Sequence, residues 1–267
     1  MRASLRTAAT AGVVMAGILA IALSGCSATP SPDAVGRNTA PPTVIATPTV
    51  TPTPTITPTP TVPVFDKTAR SVDDPASVWV VVNKSRGLNP AGFVPPDLVY
   101  PAVTYVNRQP MRQEAATALV AMLSAARSEA NLAFSVQSAY RSYETQTSVY
   151  NDDAARNGRA AADTDTARPG HSEHQTGLAI DLSAVPASCS LASCLGETPH
   201  GKWLAANAWR FGFLLRYPAD KVPITGFTYE PWHFRYIGVP LATEMHRTGI
   251  TTLEEFFGLP GGTTYPQ

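Results

Sequence analysis

RPGHSEHQTGLAID, residues 168–181, places two polar side chains around one short apolar run. The run is Leu178-Ala179-Ile180, and its length and composition predict a buried strand that leads into Asp181. His174 lies in the preceding loop, and Gly177 separates it from the run. A side chain carried on a buried strand is held rigidly. The segment therefore predicts an aspartate on a fixed element, with a histidine that reaches toward it from a loop.

A second cluster, YEPWHF at residues 229–234, adds one imidazole and one more carboxylate. Each histidine alone would more often be a hydrogen-bonded structural group than a ligand. Together, His174, Asp181 and His233 supply three protein ligands, and Glu230 remains as a base. Three ligands, an open position for water and a nearby base form the inventory of a catalytic zinc site. We therefore predict that these three residues bind Zn²⁺.

Strand-like and helix-like segments alternate in mixed order, without a regular βαβ repeat. This order predicts an α+β fold with a small, mostly antiparallel sheet flanked by helices. A polar loop is expected at residues 162–168. Hydrophobic periodicity and capping residues predict strands at residues 78–82, 134–139, 178–180, 211–215 and 229–237, and helices at 111–131, 142–158, 202–210, 241–247 and 253–257.

The chain divides into three predicted regions. Residues 1–26 have a basic start, an apolar core and the sequence LSGC, which resembles the lipobox of a bacterial lipoprotein signal. Residues 27–70 are rich in Thr and Pro and predict an extended spacer, although a disordered leader fits the composition equally well. Residues 71–267 are the predicted catalytic domain. We expect an exported protein, lipid-anchored through Cys26 to the outer face of the cytoplasmic membrane; the alternative is an ordinary secretory signal.

The other two cysteines, Cys189 and Cys194, lie close together in CSLASC. In an exported domain this pair predicts a small disulfide-closed loop. Two free thiols or a metal site are the alternatives. The formal net charge is zero, and Lys and Arg are not clustered, which excludes a nucleic-acid footprint. We expect a monomer, although no feature of the sequence fixes the oligomeric state.

Three motifs in order identify a family resemblance. SEHQTGLAID fits the pattern S-x-H-x-x-G-x-A-x-D, YEPWHFRY fits E-x-W-H, and SAYRSYETQ at residues 138–146 lies upstream. Together they resemble the VanY-type D-alanyl-D-alanine carboxypeptidases, zinc peptidases of peptidoglycan. The similarity extends from residue 81 to residue 238, with Ala139 where the family pattern has glycine.

The resemblance implies the hedgehog/DD-peptidase zinc fold and a role for several residues. Glu230 would be the general base, and Arg141 would either stabilise the oxyanion or bind the terminal carboxylate of the peptide. Gln146, Ser172 and Tyr140 would contact substrate. The implied substrate is the stem peptide of peptidoglycan. The sequence leaves open whether the cleaved bond is D,D, L,D or an internal cross-link.

Two other functions use the same residues. Two histidines and a carboxylate can hold Fe(II) in an oxygenase, but Glu230 would then have no evident task. A non-enzymatic wall-binding lipoprotein would be favoured if a ligand or the base were missing, and none is. His171 is interpreted as a loop-orienting residue, His200 and His246 as surface residues, and Trp232 as part of the site wall. Arg141 could also form a purely structural ion pair.

Overall fold

The computed structural model describes residues 64–266. The predicted signal segment, Cys26 and almost all of the predicted spacer lie outside the described residues. Within residues 64–266, no helix combines the length and the apolar character needed to cross a membrane.

A four-stranded sheet carries the domain, and all its neighbouring strands are antiparallel. Its order is β3-β4-β6-β5, and a separate ladder pairs β1 with β2. The register places Asp181 on β4 directly opposite His233 on β6. The strands are β1 Leu98–Val99, β2 Met111–Arg112, β3 Ala133–Ser138, β4 Ala179–Val185, β5 Phe213–Leu215 and β6 His233–Tyr236.

Helices pack around this sheet and confirm the predicted α+β class. In α1, Leu119, Met122 and Ala126 recur at helical spacing and are fully buried, so one face of the helix packs inward. In α2, the Ser142 hydroxyl accepts a hydrogen bond from the Thr145 N–H and caps the helix as predicted. The helices are α1 Gln113–Ala130, α2 Tyr143–Asn157, α3 Arg159–Asp165, α4 Pro199–Asn207, α5 Val222–Thr225, α6 Val239–Thr248 and α7 Leu253–Phe257.

Several predicted elements have shifted ends, such as the strand predicted at 229–237, which is observed as His233–Tyr236, and two segments differ in type from the sequence predictions. Residues 78–82 are buried but do not form a strand, because part of their backbone bonds to a side chain instead of a neighbouring strand: Nη2 of Arg235 donates to the carbonyls of Val78 and Val80. The loop predicted from residue 162 begins later, since Arg159–Asp165 is helical. Ala162 is fully buried on that helix, so a short polar sequence with one inward alanine still folds as a helix.

Packing against the core begins before residue 71. The Phe65 ring lies 5.6 Å from the Trp79 ring and 5.8 Å from the Phe256 ring, measured between centroids. Lys67 also donates to the Phe256 carbonyl. The segment just before residue 71 therefore contributes apolar contacts to the folded unit.

Candidate active site

The backbone brings His174, Asp181 and His233 to one end of the sheet. Asp181 and His233 are paired across β4 and β6, and His174 lies on a 3₁₀ helix, Glu173–Thr176, just before β4. Gly177 ends that helix with φ of 67°. A Cβ at Gly177 would lie 3.0 Å from side-chain atoms of Arg112 and Leu98, so both space and backbone conformation favour glycine where the chain turns into β4.

The three side chains point at a common centre. Nε2 of His174 lies 3.2 Å from Oδ2 of Asp181, and Nδ1 of His233 lies 3.1 Å from Oδ1 of the same carboxylate. One ligand atom from each residue lies within 4.8 Å of the others, and all three residues are buried. The two imidazole rings are perpendicular, with centroids 5.0 Å apart. The predicted ligands are therefore brought together as one cluster.

Hydrogen bonds on the far side of each imidazole fix which nitrogen faces the centre. Nδ1 of His174 lies 2.7 Å from the carbonyl oxygen of Ala139, which can only accept, so Nε2 is left with its lone pair. Nε2 of His233 lies 3.3 Å from a carboxylate oxygen of Glu173, so Nδ1 is the nitrogen that faces the centre. Such outer partners are typical of metal-binding histidines.

The electrostatics of the cluster favour a cation at its centre. Burial opposes ionisation of Asp181, but the His174 and His233 imidazoles hold its pKa well below the usual range. Burial and the nearby Arg141 guanidinium lower the pKa of His174 to about 4, so this ring is neutral at neutral pH. Among the described residues, Oδ1 of Asp181 is buried without a hydrogen-bond partner. A buried, unsatisfied carboxylate oxygen facing two imidazole nitrogens fits a bound divalent metal.

Glu230 lies beside the cluster without belonging to it. Its Oε2 is 3.7 Å from Nδ1 of His233, and its backbone N–H donates to the carbonyl of Tyr217 at 3.1 Å. Burial raises the pKa of the Glu230 carboxyl to about 8. A carboxylate with raised proton affinity next to a metal position has the character required of a general base.

Arg141 enters the site from the segment between β3 and α2. Its Nη2 is 3.7 Å from Oδ2 of Asp181, and its Nη1 donates to Oε1 of Gln146 at 2.9 Å. Gln146 is held in turn, because its Nε2 donates to the carbonyl of Ala167 at 2.7 Å. Gln146 therefore orients the guanidinium, which adds a positive charge at the edge of the cluster.

An open cavity of about 400 Å³ lies over these groups. The predicted residues Arg141, Gln146, Ser172 and Glu230 line it, as does Trp232, which forms part of its wall. Tyr140 lies outside this cavity, although Arg141 next to it lies inside, because adjacent side chains of a non-helical segment point in different directions. The cavity gives no support to Tyr140 as a substrate contact.

Glu173 is the main site residue that the sequence analysis missed. It is fully buried behind His233, and its Oε1 accepts from Arg216 at 2.8 Å and from Arg235 at 2.9 Å. Arg216 also pairs with Glu254 through two hydrogen bonds of 2.9 Å and 2.7 Å. The two guanidinium groups hold the pKa of Glu173 below its usual range, against the effect of burial. Two arginines and two glutamates, with no net charge together, thus form a buried network that holds the proposed ligand His233 in position through Glu173.

A signal for this network does exist in the sequence. Arg216 stands in FLLRYP and Arg235 in WHFRY, so each interrupts an apolar or aromatic strand segment. A charged residue at such a position predicts a buried partner of opposite charge. It does not say which carboxylate is the partner, because the pairing depends on the tertiary fold.

The remaining histidines lie outside the cluster. His171 places Nδ1 2.8 Å from the Asn83 carbonyl and thus holds its loop in place. His246 is exposed and stacks on Trp209. His200 was interpreted as a surface residue, but it is half-buried in α4 and packs edge-on against Phe134, with centroids 5.0 Å apart.

Cys189 and Cys194 form a disulfide. The two cysteines are five positions apart, and the disulfide closes a small loop after β4. Leu191 in this loop lines the cavity.

Comparisons with known proteins identify a family and several relatives of this chain. The family model for VanY, D-alanyl-D-alanine carboxypeptidase, matches residues 108–239. YodJ of Bacillus subtilis (strain 168) is 38% identical over 192 residues, which cover 70% of this chain and 69% of that protein.

Two solved structures are similar in fold and sequence. The LdcB LD-carboxypeptidase has a TM-score of 0.64 and 38% identity, covering 69% of this chain and 87% of LdcB. A mutant of the vancomycin-resistance D,D-pentapeptidase VanY from a VanB-type cassette, in complex with Zn(II), has a TM-score of 0.56 and 33% identity. The match covers 66% of this chain and 97% of that one.

Proposed function

This chain belongs to the VanY family of D-alanyl-D-alanine carboxypeptidases, and we propose that it is a zinc enzyme that removes the C-terminal D-alanine from peptidoglycan stem peptides. As a member of the family it is a hydrolase. The proposal adds the metal, the natural substrate and the roles of individual residues.

The observation that carries the proposal is the Asp181 carboxylate, whose Oδ1 has no hydrogen-bond partner, between two oriented imidazoles, with Glu230 beside the cluster. Two nitrogens and one oxygen within 4.8 Å of one another suit tetrahedral Zn²⁺ with one position left for water. The Zn(II) complex of the related VanY structure supports this choice of metal. An Fe(II) oxygenase would use the same three ligands but would give Glu230 no role.

The residues divide the reaction among them. His174, Asp181 and His233 would hold Zn²⁺, which when bound polarises the peptide carbonyl and lowers the pKa of water. Glu230 takes a proton from water as the water oxygen bonds to the carbonyl carbon of the peptide. Glu230 then gives that proton to the amine nitrogen as the C–N bond breaks. The products are the shortened peptide and free D-alanine.

Arg141 supplies positive charge on the side of the site near Asp181. Its Nη1 is occupied by Gln146, whereas its Nη2 has only the long contact to Asp181, so Nη2 remains available to an incoming oxygen. That oxygen belongs either to the tetrahedral oxyanion or to the terminal carboxylate of the peptide. Both assignments agree with a substrate that ends in a free carboxylate.

An L,D-carboxypeptidase is the second candidate. It is favoured by the likeness to the LdcB LD-carboxypeptidase, which at 0.64 has a higher TM-score than the VanY D,D-pentapeptidase at 0.56. The two candidates share the metal, the base and the chemistry. They differ in whether the residue before the scissile bond has D or L configuration.

Mass spectrometry on defined peptides tests the proposal. The purified zinc-loaded protein is incubated with a stem pentapeptide ending in D-Ala-D-Ala and with the matching tetrapeptide ending in one D-Ala. Loss of one alanine from the pentapeptide supports the D,D assignment, and loss from the tetrapeptide alone supports the L,D alternative. Intact peptides in both samples, with zinc bound, would contradict the proposed function.

We also propose that the enzyme is exported and held at the outer face of the cytoplasmic membrane by a lipid on Cys26. The support is the apolar segment followed by LSGC, which lies outside the described residues. The full chain should sediment with membranes, and Cys26→Ser should leave it unlipidated. A wild-type protein recovered without lipid in the culture medium would contradict this localisation.

A further inference from the structure

Tyr217 is a cavity residue to which the catalytic scheme gives no role. It follows β5 and is 5% exposed, yet it lines the cavity above the metal-ligand cluster. Its ring lies 4.8 Å from the His233 ring and 4.8 Å from the Phe227 ring, and the guanidinium of Arg216 lies 5.2 Å from its centroid. Packing on three sides fixes the direction of the side chain.

The Tyr217 side chain is fixed by packing, but its hydroxyl group remains free to donate a hydrogen bond. Among residues 64–266 it makes no hydrogen bond, and it is not one of the fully enclosed side-chain atoms that lack a partner. The oxygen therefore keeps contact with the cavity. Buried tyrosines normally satisfy their hydroxyl within the protein. Tyr236 does so, because its hydroxyl donates to Glu114 at 2.8 Å.

The position of Tyr217 relates it to the reacting groups. The Glu230 N–H donates to the Tyr217 carbonyl, so the base and the phenol lie on paired backbone segments. Tyr217 also packs on His233, whereas Arg141 approaches Asp181. Tyr217 thus contacts one ligand of the cluster, Arg141 approaches another, and both line the cavity above the cluster. The two residues are therefore both candidates to donate to an oxygen that becomes negative there.

The chemical state of Tyr217 suits a donor. A tyrosine hydroxyl is both a hydrogen-bond donor and an acceptor, and its ordinary pKa of about 10 leaves it protonated at neutral pH. A neutral hydroxyl can donate one hydrogen bond, and that bond is stronger when the acceptor carries a negative charge.

We propose that the Tyr217 hydroxyl donates a hydrogen bond to the oxyanion of the tetrahedral intermediate and is a catalytic residue of this enzyme. The inference rests on the proposed function and adds a donor to it. The oxyanion is preferred over the terminal carboxylate because Tyr217 contacts His233, next to the point where the scissile carbonyl reacts. A donor fixed in advance toward developing charge lowers the barrier without strengthening substrate binding.

Tyr217→Phe tests the role, because it removes one oxygen and keeps the ring packed against His233 and Phe227. We expect kcat to fall about 100-fold, the typical loss for one oxyanion donor, with KM and zinc content unchanged. Tyr236→Phe is the matched control, since it removes a buried tyrosine hydroxyl outside the cavity. Its thermal unfolding midpoint should fall, while kcat stays at the wild-type value.

A binding measurement separates this role from a structural one. A phosphinate in place of the scissile amide of D-Ala-D-Ala mimics the tetrahedral anion, and calorimetry on the zinc-loaded protein gives its affinity. Tyr217→Phe should weaken phosphinate binding by a factor similar to the loss in kcat. The proposal would be overturned if Tyr217→Phe left both kcat and phosphinate affinity unchanged in an active enzyme, or if it raised KM without changing kcat. Absence of hydrolysis by the wild-type protein would instead refute the proposed function.

Discussion

The Glu173 carboxylate lies 3.3 Å from Nε2 of His233, on the side of the imidazole that faces away from Asp181. Glu173 is itself bonded to Arg216 and Arg235, and none of these three groups contacts solvent. One metal-ligand candidate is thus oriented by a carboxylate whose own position is fixed by two buried cations. The site depends on a charge network that extends into the core.

Removing the Glu173 carboxylate should weaken metal binding and the fold together. Glu173→Gln leaves two buried guanidinium groups opposite one remaining carboxylate, and breaking such a buried pair costs about 3–5 kcal/mol in unfolding free energy. Loss of the outer partner of His233 should weaken zinc affinity about 10- to 100-fold. Denaturant unfolding and chelator competition measure the two effects. Glu244→Gln, which alters an exposed pair with Arg247, should leave zinc affinity unchanged.

Glu230→Gln should separate chemistry from metal binding. Gln keeps the size and polarity of the side chain but cannot accept the proton from water. Turnover should fall about 10²- to 10⁴-fold, while zinc content remains one per chain. Steady-state kinetics and elemental analysis on the same sample provide the test. A variant that retains near-wild-type turnover would remove Glu230 from the role of base.

Zinc binding should release protons at neutral pH. Burial disfavours the charged His233 imidazole, but the carboxylates of Asp181 and Glu173 on the two sides of the ring outweigh it and raise the pKa to about 9. His233 is therefore protonated in the metal-free protein at neutral pH and must lose that proton to offer Nδ1 to a metal. Apparent zinc affinity should rise with pH up to that pKa. Calorimetry in buffers of different ionisation enthalpy should report at least one proton released, and a value of zero would contradict the assignment.

Gln146 should act through Arg141. It accepts from the guanidinium and is bonded to the Ala167 carbonyl, so Gln146→Ala lets the guanidinium move without removing its charge. A small displacement of a reacting group can reduce kcat/KM by about 10- to 100-fold. Arg141→Ala should cost more than Gln146→Ala, and the double variant should lose little beyond Arg141→Ala. Additive losses would show that Gln146 acts independently.

Much of the candidate site could be predicted from short-range patterns. The apolar run before Asp181 marks a buried strand, and the spacing of His174 and His233 from their carboxylates matches a family motif. Antiparallel pairing then places Asp181 opposite His233. The sequence pattern therefore predicts which residues lie on the strands, but the register between the strands is known only from the folded sheet.

The parts that were missed depend on contacts between distant residues. Glu173 lies inside the quoted motif, yet its partners Arg216 and Arg235 are 43 and 62 positions away. Residues 78–82 have strand-like composition, but the carbonyls of Val78 and Val80 bond to the Arg235 side chain instead of a neighbouring strand. The local strand propensity of a segment does not show whether its backbone will bond to a side chain or to a neighbouring strand.

Zinc stoichiometry in the wild-type protein and in His233→Ala tests whether these residues form the metal site. We expect one zinc per wild-type chain by elemental mass spectrometry, and loss of that zinc when the His233 imidazole is removed. His246→Ala, which changes an exposed histidine on α6, should keep the metal. A wild-type chain without zinc after zinc-supplemented purification, or a His233→Ala chain with full occupancy, would contradict a site built from His174, Asp181 and His233.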